Sequence, residues 1–172
     1  MIKLRYLQAK ACGRIWRREK GLTFLELLIV MTIIAIAAMM VIPRMGSAGG
    51  VQVRAAADMI TADLEYAKSM ATSRQANYTV VFNTGTESYQ IQDSGGVINH
   101  HVKVGSQFII NFSTDSRLDK VDLATANFNA TSQVQFDRTG SPDNAGTITL
   151  QGGGVTATIT VEAVTGYITT SY

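Results

Sequence analysis

The sequence predicts an α+β protein in which a long N-terminal helix, apolar in its first half and amphipathic in its second, packs on a C-terminal antiparallel β-sheet domain. Three observations carry this. An almost unbroken apolar run fills residues 22–42, apolar residues then recur every three or four positions to about Arg74, and from Asn77 the period switches to two. There is no βαβ alternation and no internal repeat, so a parallel sheet is not expected.

Residues 1–21 hold seven basic side chains (Lys3, Arg5, Lys10, Arg14, Arg17, Arg18 and Lys20) and one acid, Glu19. Of 15 basic and 13 acidic residues in the whole chain, eight and twelve therefore remain beyond Gly21, which turns a formal +2 into −4. The sole cysteine, Cys12, also lies before Gly21, so the remainder is expected to hold by packing without a disulfide.

Residues 22–42 contain only Thr23, Glu26 and Thr32 as polar positions, and about 20 apolar residues suffice to cross a bilayer core. The run is too long for a secretory signal, whose apolar stretch is about 7–15 residues, although Gly46-Ser47-Ala48 could imitate a cleavage site. Basic residues ahead of a span stay cytoplasmic, so the C-terminal part is expected to face outward. Glu26 is the sharper clue, because an ionised side chain in a span costs about 2.5–3.5 kcal/mol on insertion scales. No Lys or Arg lies in residues 22–42. Its counter-charge must come from a backbone amine or another molecule, or the carboxyl must stay protonated.

Residues 43–50 (Pro-Arg-Met-Gly-Ser-Ala-Gly-Gly) are rich in helix breakers, and a kink or joint is expected there, with Pro43 at its start. In residues 51–76, Val53, Ala56, Ile60, Leu64, Ala67 and Ala71 form the stripe of an amphipathic helix. Asp58, Asp63, Glu65, Lys68 and Arg74 fall mostly off that stripe, where a solvated face is expected. In residues 77–172, Tyr78, Val80 and Phe82 alternate with Thr79 and Val81, then Thr84–Glu87 turns into Tyr89 and Ile91 as a hairpin. Further strands are expected at 97–104, 107–112, 133–137, 147–151, 155–162 and 167–170.

No Gly-rich phosphate loop, nucleophile elbow or Cys/His cluster is present, so no enzymatic activity and no cofactor are expected. His100 and His101 are adjacent, and on a strand they would face opposite ways and could not share a metal. Asp137, Asp143 and Asn144 flank a Gly- and Pro-bearing loop and are weak calcium candidates, though Asp and Asn are also ordinary turn formers. Asp115, Asp119 and Asp122 alternate with Arg117 and Lys120, as a solvated loop would. Nucleic-acid binding needs clustered Lys and Arg. The eight basic residues after Gly21 are scattered, and none lies beyond Arg138.

The run from Gly21 to Val30, with a basic leader before it and Glu26 at the fifth position after Gly21, resembles the N-terminal signature of type IV prepilins and type II secretion pseudopilins. That resemblance implies a prepilin peptidase that cuts between Gly21 and Leu22 and methylates the new Leu22 amine. It also implies that Glu26 neutralises the N-terminal amine of a neighbouring subunit, and that Pro43 bends the helix. One departure is Leu22 itself, where the family usually has Phe; here Phe24 comes two places later. Ala57 to Phe82, with Ala67-Lys68, then residues 135–140 and the closing 159–161 and 166–168, resemble the GspH/FimT type of minor subunit. The implied partners are the peptidase, other pilin or pseudopilin subunits, an inner-membrane assembly platform, and lipid before assembly. A major subunit, a DNA-uptake minor pilin and a single-pass anchor bearing an unrelated β domain are the alternatives.

Overall fold

The computed structural model describes residues 23–41 and 48–172. The expected leader 1–21, the Gly21–Leu22 cleavage and methylation position and the Pro43 bend lie outside the described residues. The chain divides into two compact units, Met1–Met45 and Gly46–Tyr172.

In the first unit, helix α1 runs Phe24–Val41. Thr23 fixes its start: the threonine Oγ1 accepts the Glu26 N–H at 3.2 Å, and its carbonyl accepts that of Leu27 at 3.1 Å. This is an N-cap, which satisfies donors that the first helical turn leaves orphaned. Thr32 turns its hydroxyl back to donate to the Ile29 carbonyl at 2.8 Å, so the helix's other polar side chain is satisfied internally. Ten large apolar residues of α1 are 47–82 % exposed. A helix that is apolar all round needs lipid or protein around it. Among the described residues no helix is long and apolar enough to cross a membrane; the expected span, 22–42, includes Leu22 and Ile42, which lie outside the described residues.

In the second unit, helix α2 runs Ala48–Arg74, 27 residues, or about 40 Å at 1.5 Å per residue. The expected stripe of Val53, Ala56, Ile60, Leu64, Ala67 and Ala71 is fully buried, with Ala57 beside it. Its end is a Schellman-type stop: Gln75 takes φ 52°, and the Ala76 N–H reaches back to the Ala71 carbonyl at 3.2 Å.

Two antiparallel sheets lie against α2. The first contains β1 (Tyr78–Asn83), β2 (Ser88–Asp93), β3 (Gly96–Val97), β4 (Ile109–Asn111) and β6 (Gln133–Phe136), in the order β3-β2-β1-β6. β4 pairs with Ser88–Gln90 of β2, and β3 with Gln92 and Asp93. The second contains β5 (Asp122–Asn127), β7 (Gly146–Gly152), β8 (Val155–Val161) and β9 (Ile168–Ser171), in the order β5-β7-β8-β9. Alternation sends Tyr78, Val80, Phe82, Tyr89, Ile91, Val134 and Phe136 inward from one sheet, and Ile148, Leu150, Ala157, Ile159 and Val161 inward from the other. All join the α2 stripe in one core.

Three expectations are corrected. Ala48, Gly49 and Gly50, placed in the kink 43–50, are the first residues of α2. The reason is close packing: a Cβ on Gly49 would stand 2.8 Å from the Gly153 nitrogen, in the Gly153-Gly154 turn between β7 and β8. Both turn glycines have positive φ, 57° and 79°, as the tight two-residue hairpin demands. Residues 97–104 are not one strand. β3 stops at Val97, an isolated bridge joins Asn99 to Gln107, and the chain turns between them with Val102 and Val104 in solvent. Their alternation had no core to bury into. Conversely, Asp122–Asn127 is a strand where a loop was expected. Only its Leu123 is fully buried, and a register shift between Leu123 and Thr125 breaks the period of two.

The Gly49 contact sets two effects against each other. Gly49→Ala improves helix propensity by about 1 kcal/mol, yet overpacking against the hairpin should leave the protein less stable by about 1–3 kcal/mol. The check is the urea midpoint of the detergent-solubilised chain.

Candidate functional site

Of the residues expected to act in assembly, the structure describes Glu26, at the start of α1. Gly21 and Leu22 lie outside the described residues, as does Pro43. Glu26 occupies the first turn of α1, and the helix has no basic residue in its last turn. A carboxylate there is favoured by the positive end of the helix dipole. Thr23 is the residue that sequence reading missed. Thr23-x-x-Glu26 has the spacing of a capping box, and that signal alone could have found it. The cap fixes where the helix begins and so where on its surface Glu26 projects.

The second unit presents its own network, built by charges of α2 that were expected to face solvent. Asp63 accepts a hydrogen bond of 2.5 Å from the hydroxyl of buried Tyr89. Burial pushes the Asp63 carboxyl above its usual range, opposed by that hydrogen bond and by His101 and His100. Burial first, and then the Asp63 charge, push the Tyr89 hydroxyl well up. Lys68 donates to the Gly166 carbonyl at 2.9 Å and lies 4.0 Å from Glu65. Asp58 accepts from the Tyr172 hydroxyl at 2.8 Å, and the Arg54 guanidinium lies 5.5 Å from the Tyr172 ring centre. Asp58, Asp63 and Lys68 are thus clasps between α2 and the sheets rather than a purely solvated face.

The loop before β5, expected to be solvated, is ordered in the same way. Arg117 donates to Asp115 through Nε at 3.0 Å and through a terminal nitrogen at 2.6 Å, holding that carboxyl at about 2. Gln52 of α2 joins the loop, donating to Asp119 at 3.1 Å and accepting from the Lys120 N–H at 3.0 Å. Glu87 accepts the Leu123 N–H at 2.6 Å, tying the β1–β2 hairpin to β5 of the other sheet.

The calcium candidates serve as turn locks. Asp137 Oδ1 accepts from the Thr139 hydroxyl at 2.6 Å and from the N–H groups of Thr139 and Ser141 at 2.8 and 3.0 Å. These bonds, the Thr139 hydroxyl foremost, lower its pKa. Asp143 Oδ1 accepts from the N–H groups of Gln135 and Asn144, and Asn144 Oδ1 accepts from the Asn129 side chain. Among the described residues no group of three or more His, Cys, Asp or Glu is placed to hold a metal ion. His100 and His101 do not face opposite ways as expected. They lie off the strands with ring centres 5.2 Å apart, and both stack on Phe108. Gln92, Thr79 and Gln135 lie side by side in one row of the first sheet.

A capped apolar helix bearing one carboxylate, and an amphipathic helix packed on two antiparallel sheets, define a pilin-type α+β subunit. The family model for type II transport protein GspH matches residues 56–165, and that for the prokaryotic N-terminal methylation motif matches residues 16–42. The chain belongs to the GspH family, whose members are structural subunits of pili or pseudopili and not enzymes. Among solved structures it is similar to the minor pseudopilin EpsH of the Vibrio cholerae type 2 secretion system. Identity there is 11 %, covering 70 % of this chain and 96 % of that one, at a TM-score of 0.53. The type IV minor pilin FimU of Pseudomonas aeruginosa is 16 % identical over 70 % of this chain and 88 % of that one, at 0.48. No curated protein matches the sequence closely enough to count as a relative.

The network can be tested at two points. Tyr89→Phe leaves the half-buried Asp63 carboxylate without its donor and should destabilise the protein by about 1–3 kcal/mol at neutral pH. A protonated carboxyl needs that donor less, and the Asp63 pKa is raised on folding, so the deficit should be small in acid and grow as pH rises through the raised value. Denaturation of both proteins across pH checks the sign. Because Oδ1 of Asp137 and of Asp143 is already engaged and no third acidic or His/Cys group joins them among the described residues, millimolar calcium should leave the thermal midpoint unchanged, as differential scanning calorimetry would report.

Proposed function

We propose that this protein is a minor subunit of a type II secretion pseudopilus or a type IV pilus-like filament, acting in filament initiation and protein secretion. It is made as a precursor in the bacterial inner membrane, with residues 1–21 cytoplasmic and the β domain outside. Prepilin peptidase cuts between Gly21 and Leu22 and methylates the Leu22 amine. Other pilin or pseudopilin subunits and the inner-membrane assembly platform are its later partners.

The observation that carries this reading is the placement of Glu26. It is the single charged side chain in α1, in the first turn of a helix whose large apolar residues are exposed. In a hydrocarbon or protein core that carboxylate requires a cation. A new amine at Leu22 of a neighbouring copy would supply it, while Leu27 to Ile42 pack as the filament core and Pro43 bends the helix beyond. The match of the methylation motif over residues 16–42 supports the same reading.

The test is intact-mass and N-terminal analysis of the protein from cells with and without the peptidase. A chain that begins at Leu22 only when the peptidase is present is the expected result; one that keeps Met1 in both strains overturns it. Glu26→Val should still be cut and inserted, but its recovery in sheared filament fractions should drop at least about tenfold, the loss of an interaction worth roughly 1.4 kcal/mol or more.

A further inference from the structure

The turn between β3 and β4 is held by a titratable ring. After the Asn99–Gln107 bridge, the His100 N–H donates to the Ser106 carbonyl at 2.8 Å. His100 Nδ1 then accepts two backbone N–H groups, those of Val102 at 3.1 Å and Lys103 at 3.3 Å. The ring cannot swing away easily, because it lies nearly parallel to fully buried Phe108, with centres 4.5 Å apart and planes 9° apart. The loop it clasps displays Val102 and Val104, 70 % and 97 % exposed, on either side of Lys103. An imidazole nitrogen accepts hydrogen bonds only while it carries no proton.

We propose that His100 is a pH-operated latch: neutral, it holds residues 101–105 in one arrangement, and as imidazolium it releases them, changing the surface that Val102 and Val104 present. Protonation replaces an acceptor that serves two N–H groups with a third N–H facing them. Both bonds are then lost together, and the loop keeps the Ser106–Lys103 backbone bond, 3.1 Å, and the His100–Ser106 backbone bond, 2.8 Å, at its base.

The surroundings decide where the latch opens. His101, 5.2 Å away ring to ring, and Lys103 disfavour a positive charge on His100, whereas Asp63 of α2 favours it. Tyr66 of α2 stacks on His101 and Phe108 and adds no charge, and the Tyr89 hydroxyl is already committed to Asp63. Burial, then His101 and Lys103, outweigh Asp63 and place the His100 pKa below its ordinary value of 6.5. A base whose pKa is lowered on folding stabilises the closed loop fully above the ordinary value. That stabilisation is lost as pH falls through the lowered one. The latch is shut at neutral pH and opens in mild acid, and it operates whether or not the chain is cut at Gly21.

The experiment is amide hydrogen exchange of the full chain in detergent micelles at pH about 7.5 and about 4.5, the lower point set well under the ordinary histidine range because the His100 value is depressed, with rates corrected for intrinsic pH dependence. Protection of the Val102 and Lys103 amides should fall at least about tenfold at the lower pH, while β7 and β8 stay protected. His100→Asn, whose side-chain oxygen accepts at any pH, should keep both amides protected throughout; His101→Gln should retain the pH response. Unchanged protection in the unmodified chain, or an equal loss in His100→Asn, overturns the proposal.

Discussion

The β domain depends on one constraint: the single stripe of α2 must be covered by two sheets at once. Each sheet alone has one apolar face, and α2 lies against β1 and β6 of the first and β7, β8 and β9 of the second. Removing seven side chains from water along one helix drives this arrangement. The polar clasps Asp63–Tyr89, Lys68–Gly166 and Asp58–Tyr172 act at the margins of that seam. Individually such bonds add about 0.5–1.5 kcal/mol, somewhat more where a charge is involved, so they set register more than they supply stability.

The two units meet opposite requirements. In the second, every large aromatic side chain of the core is buried and the turn oxygens are used locally. In the first, a helix of 18 residues leaves ten large apolar side chains open and carries a lone carboxylate. One part is finished as folded, whereas the other is complete only among lipid or other subunits. That division is what a filament subunit requires, since assembly must exchange the surroundings of α1 without repacking the domain that α2 holds.

Much of this was legible in the sequence because long periodic segments report burial directly. The six stripe positions of α2, the β1–β2 hairpin and the alternation of Val155, Ala157, Ile159 and Val161 come from spacing alone. What stayed hidden was long-range. Gly49 and Gly50 read as helix breakers, because nothing local says that Gly153 approaches within reach of a methyl group. β5 carries one fully buried residue and a bulge, and residues 97–104 alternate with nothing to cover them. Asp63 and Lys68 looked like surface charge because their partners are 26 and 98 residues away. The N-terminal methylation motif, matched over residues 16–42, is legible for the opposite reason: it is written in consecutive residues.

Four of the seven fully buried non-glycine residues of α2 are alanines: Ala56, Ala57, Ala67 and Ala71. Methyl groups bring the helix backbone near both sheets, with Val53, Ile60 and Leu64 as larger pegs between them. A load applied along the α2 axis would therefore act in shear on the whole row together. Contacts strained in parallel resist far more force than contacts peeled apart in sequence, so the domain is built as a lap joint along the direction of pull.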